Sequence, residues 1–328
     1  YLYVRAYLKS DGFLAMLEQS AVDDMNVETA RIDPLDWDGS GIRCGGVVME
    51  GHEFLTSLQA RNIETEFSRW ELLKRAFVIT SVNIAELKLH LAPVSFRFRE
   101  KPEGPRSWAE ENILPDTFRL EKGSIDSLSV SYGEAGRLYV LDGARVESAY
   151  DAGSSQYRFD VRGGKLLLPF QGCPEFSLMS GTAQFNHSSR RVNIPSCRLT
   201  TDAGGYLDIK GDWDGSSSSW TANVVVNGVP VSSILEDHWR KHVHGSVSGG
   251  IDLRGGRDGV THVAGLARLQ GGMLTGLPVL DRLALFCGSS RFRNLPLHGA
   301  SAQFVYQESA WHISNICLLY TSPSPRDT

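Results

Sequence analysis

Residues 77–100 read FVITSVNIAELKLHLAPVSFRFRE. Leu87, Leu89 and Leu91 alternate with Lys88 and His90, and Val94, Phe96 and Phe98 then alternate with Ser95, Arg97 and Arg99. A period of two is that of a β-strand, whose successive side chains point to opposite faces of a sheet. Each apolar set therefore lines one face. Pro93, which has no N–H to give a ladder, marks a break or an edge position between the runs.

Downstream the same reading continues. Residues 100–116 open EKPEGPRSWAEENILP and are charged and proline-rich, so they read as a linker or long loop. Beyond them come FRLEKG, IDSLSVSY, RLYVLDGARVESAY, YRFDVRGGKLLLPF, EFSLMSGTAQFN, RRVNIPSCRLTTD, GYLDIKGDWD and SSWTANVVVNGV. The turn signals between them recur at the spacing of an all-β chain, with no βαβ pattern. The expectation is a mainly β fold: a long curved antiparallel sheet, open as a trough, with a few short α-helices. Two of these are VSSILEDHWRKHV, with Ser232 or Ser233 as N-cap, and LPVLDRLALFCGS, with Val279, Leu280, Leu283 and Phe286 as its apolar stripe. Gly288 stands where a helix-ending residue belongs. THVAGLARLQGGMLTG reads as two strands around Gly271-Gly272, and residues 295–316 as a final hairpin.

Upstream, Val4 to Leu17 has helical spacing and reads as an amphipathic helix that Asp11-Gly12 interrupts. Two short strands follow around Pro34. Ala60 to Phe67 alternates as a strand, and Ser68 to Glu71 has the form of a capping box ahead of a short helix, RWELLKRAF.

The charge of -5 gives no basic footprint, so nucleic acid is not an expected partner. The five cysteines lie at long, irregular intervals, which suits small buried hydrophobes better than a zinc framework. A Cys173–Cys197 bridge would suit an oxidising compartment. No apolar run approaches the roughly 20 residues of a spanning helix. GxSxG, P-loop and GxGxxG motifs are missing, so no cofactor and no enzymatic activity is expected. His238 and His242 lie four apart with His244 close by, a spacing that suits either a metal or a solvated helix face; with no HExxH and no acid at a ligand interval, no metal site is expected. The acids of DWDG and GDWDG fall in turns, where Asp caps backbone.

GGMLTGLPVLDRLALF followed by FRNLPLHGASAQFVYQESAWHISNI resembles the C-terminal region of the AsmA family, with Gly272, Leu274, Gly276, Leu277, Pro278 and Leu280 standing in its pattern. DPLDWDG and the unit from Ala60 to Leu91 resemble the family's N-terminal part. The resemblance implies a division into residues 1–99, a linker over 100–116 and a β-rich body over 117–316. Residues 317–328 are set aside as a non-native tail, because LLYTSPSPRD resembles translated adapter sequence. It also implies a periplasmic location, with an inner-membrane anchor in a segment ahead of Tyr1. The implied role is the handling of phospholipid or another envelope lipid in outer-membrane assembly. An apolar sheet face would shelter the acyl chains, each buried CH₂ contributing roughly 0.8 kcal/mol. The candidate face is Leu87, Leu89, Leu91, Val94, Phe96, Phe98, Leu166, Leu168, Val224 and Val226. The same alternation would serve a sheet packed on an ordinary core. Two other readings share the fold: an extracellular carbohydrate-binding or carbohydrate-active β-protein with tryptophans clustered on one exposed face, and a scaffold with no ligand.

Overall fold

The computed structural model describes residues 10–37, 41–68, 76–93, 117–134, 136–169, 173–186, 188–235, 237–256, 259–307 and 309–320. Among them the chain is mainly β, with eighteen strands, long and mostly antiparallel, and few short helices, one of them at the N-terminus. It divides into two compact units, Tyr1–Leu166 and Leu167–Thr328.

The first unit opens on α1 (Asp11–Met25). Ser10 is its N-cap: the side-chain oxygen accepts from the Phe13 N–H at 3.3 Å, an interaction that contributes about 1 kcal/mol. Asp11 and Gly12 therefore start this helix, which runs past Leu17, the end of the span expected over Val4–Leu17, to Met25. Residues 1–9 lie outside the described residues. Asn26 ends the helix in the left-handed conformation. Glu18 Oε1 accepts from the Ile32 N–H at 2.9 Å and ties α1 to the first strand.

Three short strands follow where two were expected. β1 (Thr29–Ile32) and β2 (Leu35–Trp37) both pair antiparallel with β3 (Gly41–Glu50). β3 pairs with β4 (Leu55–Phe67), and β4 with β5 (Ala76–Leu91). Ala76 and Phe77 begin β5 and so are not part of the expected helix, whose other residues, 69–75, lie outside the described ones. β5 then pairs in parallel with β6 (Thr117–Leu120) and β7 (Lys122–Glu134), against the all-antiparallel expectation. A parallel pair needs a crossover of a dozen or more residues. Residues 92–116 join the two strands along the chain, and the linker expected over 100–116 lies outside the described residues. β8 (Arg137–Asp151) and β9 (Gln156–Arg162) continue antiparallel, and β10 (Lys165–Leu167) is a short strand at the unit's end.

The second unit is a meander. β11 (Phe176–Asn186), β12 (Arg191–Thr201), β13 (Tyr206–Asp214), β14 (Ser219–Pro230), β15 (Val243–Gly256), β16 (Gly259–Thr275), β17 (Asn294–Gln307) and β18 (Ala310–Tyr320) each pair antiparallel with the next. β16 runs unbroken through Gly271-Gly272, where two strands were expected. Gly271 has φ +57° and forms a bulge, a conformation glycine adopts without steric cost.

Two helical connections close one end of this meander. The β14–β15 connection is a 3₁₀ turn (Val231–Ser233) followed by α2 (Asp237–Arg240), in place of the single helix expected. Ser233 Oγ donates back to the Pro230 carbonyl at 2.7 Å, so it caps no helix. The β16–β17 connection carries α3 (Pro278–Phe286), which ends as expected at Gly288, φ +65°. Its buried residues are Leu280 and Ala284, while Val279 and Phe286 are 59% and 91% exposed. That corrects the expected stripe, of which the Leu283 side chain lies outside the described residues.

Candidate functional site

Cross-strand register converts the alternation into surfaces. In the second unit Leu199, Leu207, Val226, Gly249, Ala267 and Ala302 are paired strand to strand and form one row across β12–β17. The next row is Cys197, Ile209, Val224, Ile251, Gly265 and Phe304, and it reaches Ile313 on β18. A third joins Gly211, Ala222, Leu253, Val263, Tyr306 and Trp311. Directly paired residues point to the same side of a sheet. These rows therefore build one continuous apolar face.

The opposite face is polar and self-satisfied. Arg198 donates to both carboxylate oxygens of Asp208 at 2.7 and 2.8 Å and lies 4.7 Å from the centre of the Tyr206 ring. The hydrogen bond from Arg198 holds the Asp208 carboxyl below its usual range. Asn193 Nδ2 donates to Asp212 at 2.7 Å and Asn223 Nδ2 to Asp252 at 2.8 Å. These ladders suit water. They also fix the register, because a slip of one residue would bring the charges to the apolar side.

Among the described residues, the close contacts between strands of the unit run edge to edge between paired neighbours. Among the described residues no large side chain is fully enclosed; the most buried of the second unit are Val229 at 2% and Leu199 at 3% exposure. Most of the face is half-buried, and Trp213, Trp311 and Ile313 are exposed.

The first unit builds an apolar face in the same way. Val47, Ala60, Leu87, Leu128 and Ala144 form one row, and Met49, Leu58, Leu89, Val130 and Leu141 a second beside it. Leu91 pairs with Leu55 and Tyr132. Farther back along β5, Ile84 pairs with Ile63 and Ile125, and Ile125 pairs in turn with Val146, two residues from Ala144 on β8; the register shift between Ile125 and Leu128 keeps this row on the face of the leucines. The other face is polar there: Arg43 meets Glu64 at 3.6 Å, and Arg145, between Ala144 and Val146, meets Asp126 at 3.1 Å.

Of the ten residues proposed from sequence, Leu87, Leu89 and Leu91 share one face of the first unit, and Val224 and Val226 share the apolar face of the second. Leu166 and Leu168 are half-buried at and just beyond β10. Val94, Phe96 and Phe98 lie outside the described residues. The sequence reading passed over Leu207, Ile209, Ile251, Leu253, Val263 and Phe304, all on the same face as Val224. Their alternation is visible in the sequence, but the bulges that shift it are not.

The other candidate chemistries take structural places. His242 Nδ1 is 2.8 Å from the Thr275 carbonyl oxygen, and among the described residues no three His, Cys, Asp or Glu side chains group to hold a metal. Asp214 accepts from the Ser216 N–H at 2.9 Å and caps the turn to β14. Cys173 and Cys197 are free thiols. Trp213 faces Trp220 across β13 and β14, Trp311 lies tilted against Tyr306 with ring centres 5.1 Å apart, Trp239 lies on α2, and Trp37 meets Phe67 at 5.9 Å. Trp70 and Trp108 lie outside the described residues. Among the described residues no helix is long and apolar enough to cross a membrane. Comparison of the chain with protein-family models, curated proteins and solved structures gives no match.

Proposed function

We propose that this chain handles phospholipid without catalysis, sheltering acyl chains on the apolar sheet face of its second unit, as an envelope protein of the AsmA type on the periplasmic side of the inner membrane. One observation carries the reading: eight antiparallel strands pair into one apolar face, which Leu178 on β11 extends beside Leu199, with a charged, hydrogen-bonded face behind it. The scale suits the ligand. Seven strand spacings of about 4.8 Å make the face about 34 Å wide. The chains of one leaflet span half of a hydrocarbon core of about 30 Å. The family resemblance of residues 33–39, 60–91 and 271–316 supports the envelope location.

The test is native mass spectrometry with lipid extraction on the full chain, expressed in the periplasm. Co-purified phospholipid is the expected result. A folded, lipid-free protein would move the account to a ligand-free scaffold.

A further inference from the structure

The helical end of the second unit combines features that a protein surface seldom shows together. The connections that carry α2 and α3 are joined at their roots: the Thr275 N–H donates to the His242 carbonyl at 2.9 Å, and Thr275 Oγ1 donates to the Lys241 carbonyl at 3.1 Å. From this base, large apolar side chains project into solvent. Phe286 is 91% exposed and Leu285 76%. Val279, Trp239 and Ile234 are exposed as well. A helix that buried its whole apolar side in its own unit would not leave Phe286 in water; among the described side chains of α3, Leu280 and Ala284 are the buried ones.

Charge marks the same end. Residues 231–242 and 276–293 hold five basic side chains against three acidic ones, a net charge of +2 in a chain of net charge -5. Arg282 is exposed on α3 itself, and Arg293 lies 3.7 Å from Asp281. Apolar side chains flanked by arginine and lysine are the composition of an element that lies in the headgroup region of a bilayer. The connections also join the strands of the apolar face: α2 enters β15, and α3 links β16 to β17.

We infer that this helical end is a bilayer-docking tip, which seats Leu285 and Phe286 among anionic phospholipid headgroups at the mouth of the apolar face. The inference rests on the lipid-handling reading for its purpose, but not for its test.

The experiment is co-flotation of the full chain with vesicles of phosphatidylcholine containing phosphatidylglycerol, and with vesicles of phosphatidylcholine alone, alongside lipid analysis of the purified protein. The chain is expected to float with the anionic vesicles, less so with the neutral ones, and to be released by salt. Leu285→Ser with Phe286→Ser should lower the vesicle affinity at least about tenfold. Both positions are exposed, so the circular dichroism and the lipid already carried should stay unchanged. A wild-type chain that floats with neither vesicle, or a double variant that floats as well as wild type, overturns the tip. Lipid in the extract without flotation leaves the carrier reading standing and refutes the tip. Flotation that depends on Leu285 and Phe286, with a lipid-free extract, supports the tip and refutes the carrier reading.

Discussion

Val225 and Val226 are neighbours on β14 with opposite surroundings. Val226 lies in the apolar row between Leu207 and Gly249, and Val225 lies on the polar face between Asp208 and Gly250, 43% exposed. Changing each to Asp makes the same chemical substitution on the two sides of one strand. Under acyl chains, Val is favourable by about 0.3–0.6 kcal/mol and Asp unfavourable by about 2.5–3.5 kcal/mol. Val226→Asp should therefore weaken lipid binding by about 3–4 kcal/mol, two to three decades in affinity. Val225→Asp should leave it within about twofold, because that side chain meets water before and after. The assay is phospholipid per protein in extracts of the two purified variants, with thermal melts to confirm that both fold. Equal loss of lipid in both, or full retention in Val226→Asp, would refute the assignment of acyl chains to this face.

Other consequences concern particular residues. Gly205 has φ +81°, and a Cβ there would lie 2.6 Å from the Gly228 carbonyl and Val229 Cα, so Gly205→Ala should cost more than about 2 kcal/mol in denaturant unfolding. Bonds from Ser216, first from its side chain and then from its backbone, hold Asp214 at about 2, well below an ordinary carboxylate. Because its folded value is depressed, its contribution is present above the ordinary carboxylate range and fades as pH falls toward 2; a carboxyl-carbon NMR titration should place its midpoint near 2, and a midpoint near 4 would refute the cap. Burial raises the Cys44 and Cys197 thiols, whereas Cys287 and Cys317 are exposed. Alkylation mapped by mass spectrometry should mark Cys287 and Cys317 first and reach Cys44 only on unfolding.

Much of the β architecture was legible because period-two alternation records which side each residue faces. Leu87, Leu89 and Leu91 fell on one face as read, as did Val224 and Val226. Where the reading went astray, short polar or glycine signals were missed or had two meanings. The end of α1 at Leu17 was set too early: the helix runs on to Met25, where Asn26 in the left-handed conformation stops it. Gly271-Gly272 suggested a turn, yet one left-handed glycine is also what a bulge requires. The parallel pairing of β5 with β7 depends on the connection over residues 92–116, and nothing local in either strand encodes its direction. The stripe on α3 misled for a different reason. Periodicity reports which residues are apolar, and Phe286 is apolar without being buried.

Parity misleads on β5 itself. Val82 and Ile84 are even-numbered and Leu87 and Leu89 odd, which alone would set them on opposite faces. The register shift between Ile125 and Leu128 instead joins both sets to Ala144 and Val146, two residues apart on one face of β8. The extent of the apolar face in the second unit was less accessible. It follows from the pairing of eight strands through several bulges, and a one-residue error at any of them would reverse the face.

Photo-crosslinking tests the central claim most directly. A photoreactive residue is placed singly at Ile251, on the apolar face, and at Asp252, next to it on the polar face. The full chain is irradiated as purified from the periplasm, and covalent phospholipid adducts are read by mass spectrometry. The account predicts adducts at position 251 and none at 252. Adducts at both positions alike, or at neither in a folded protein, would contradict it.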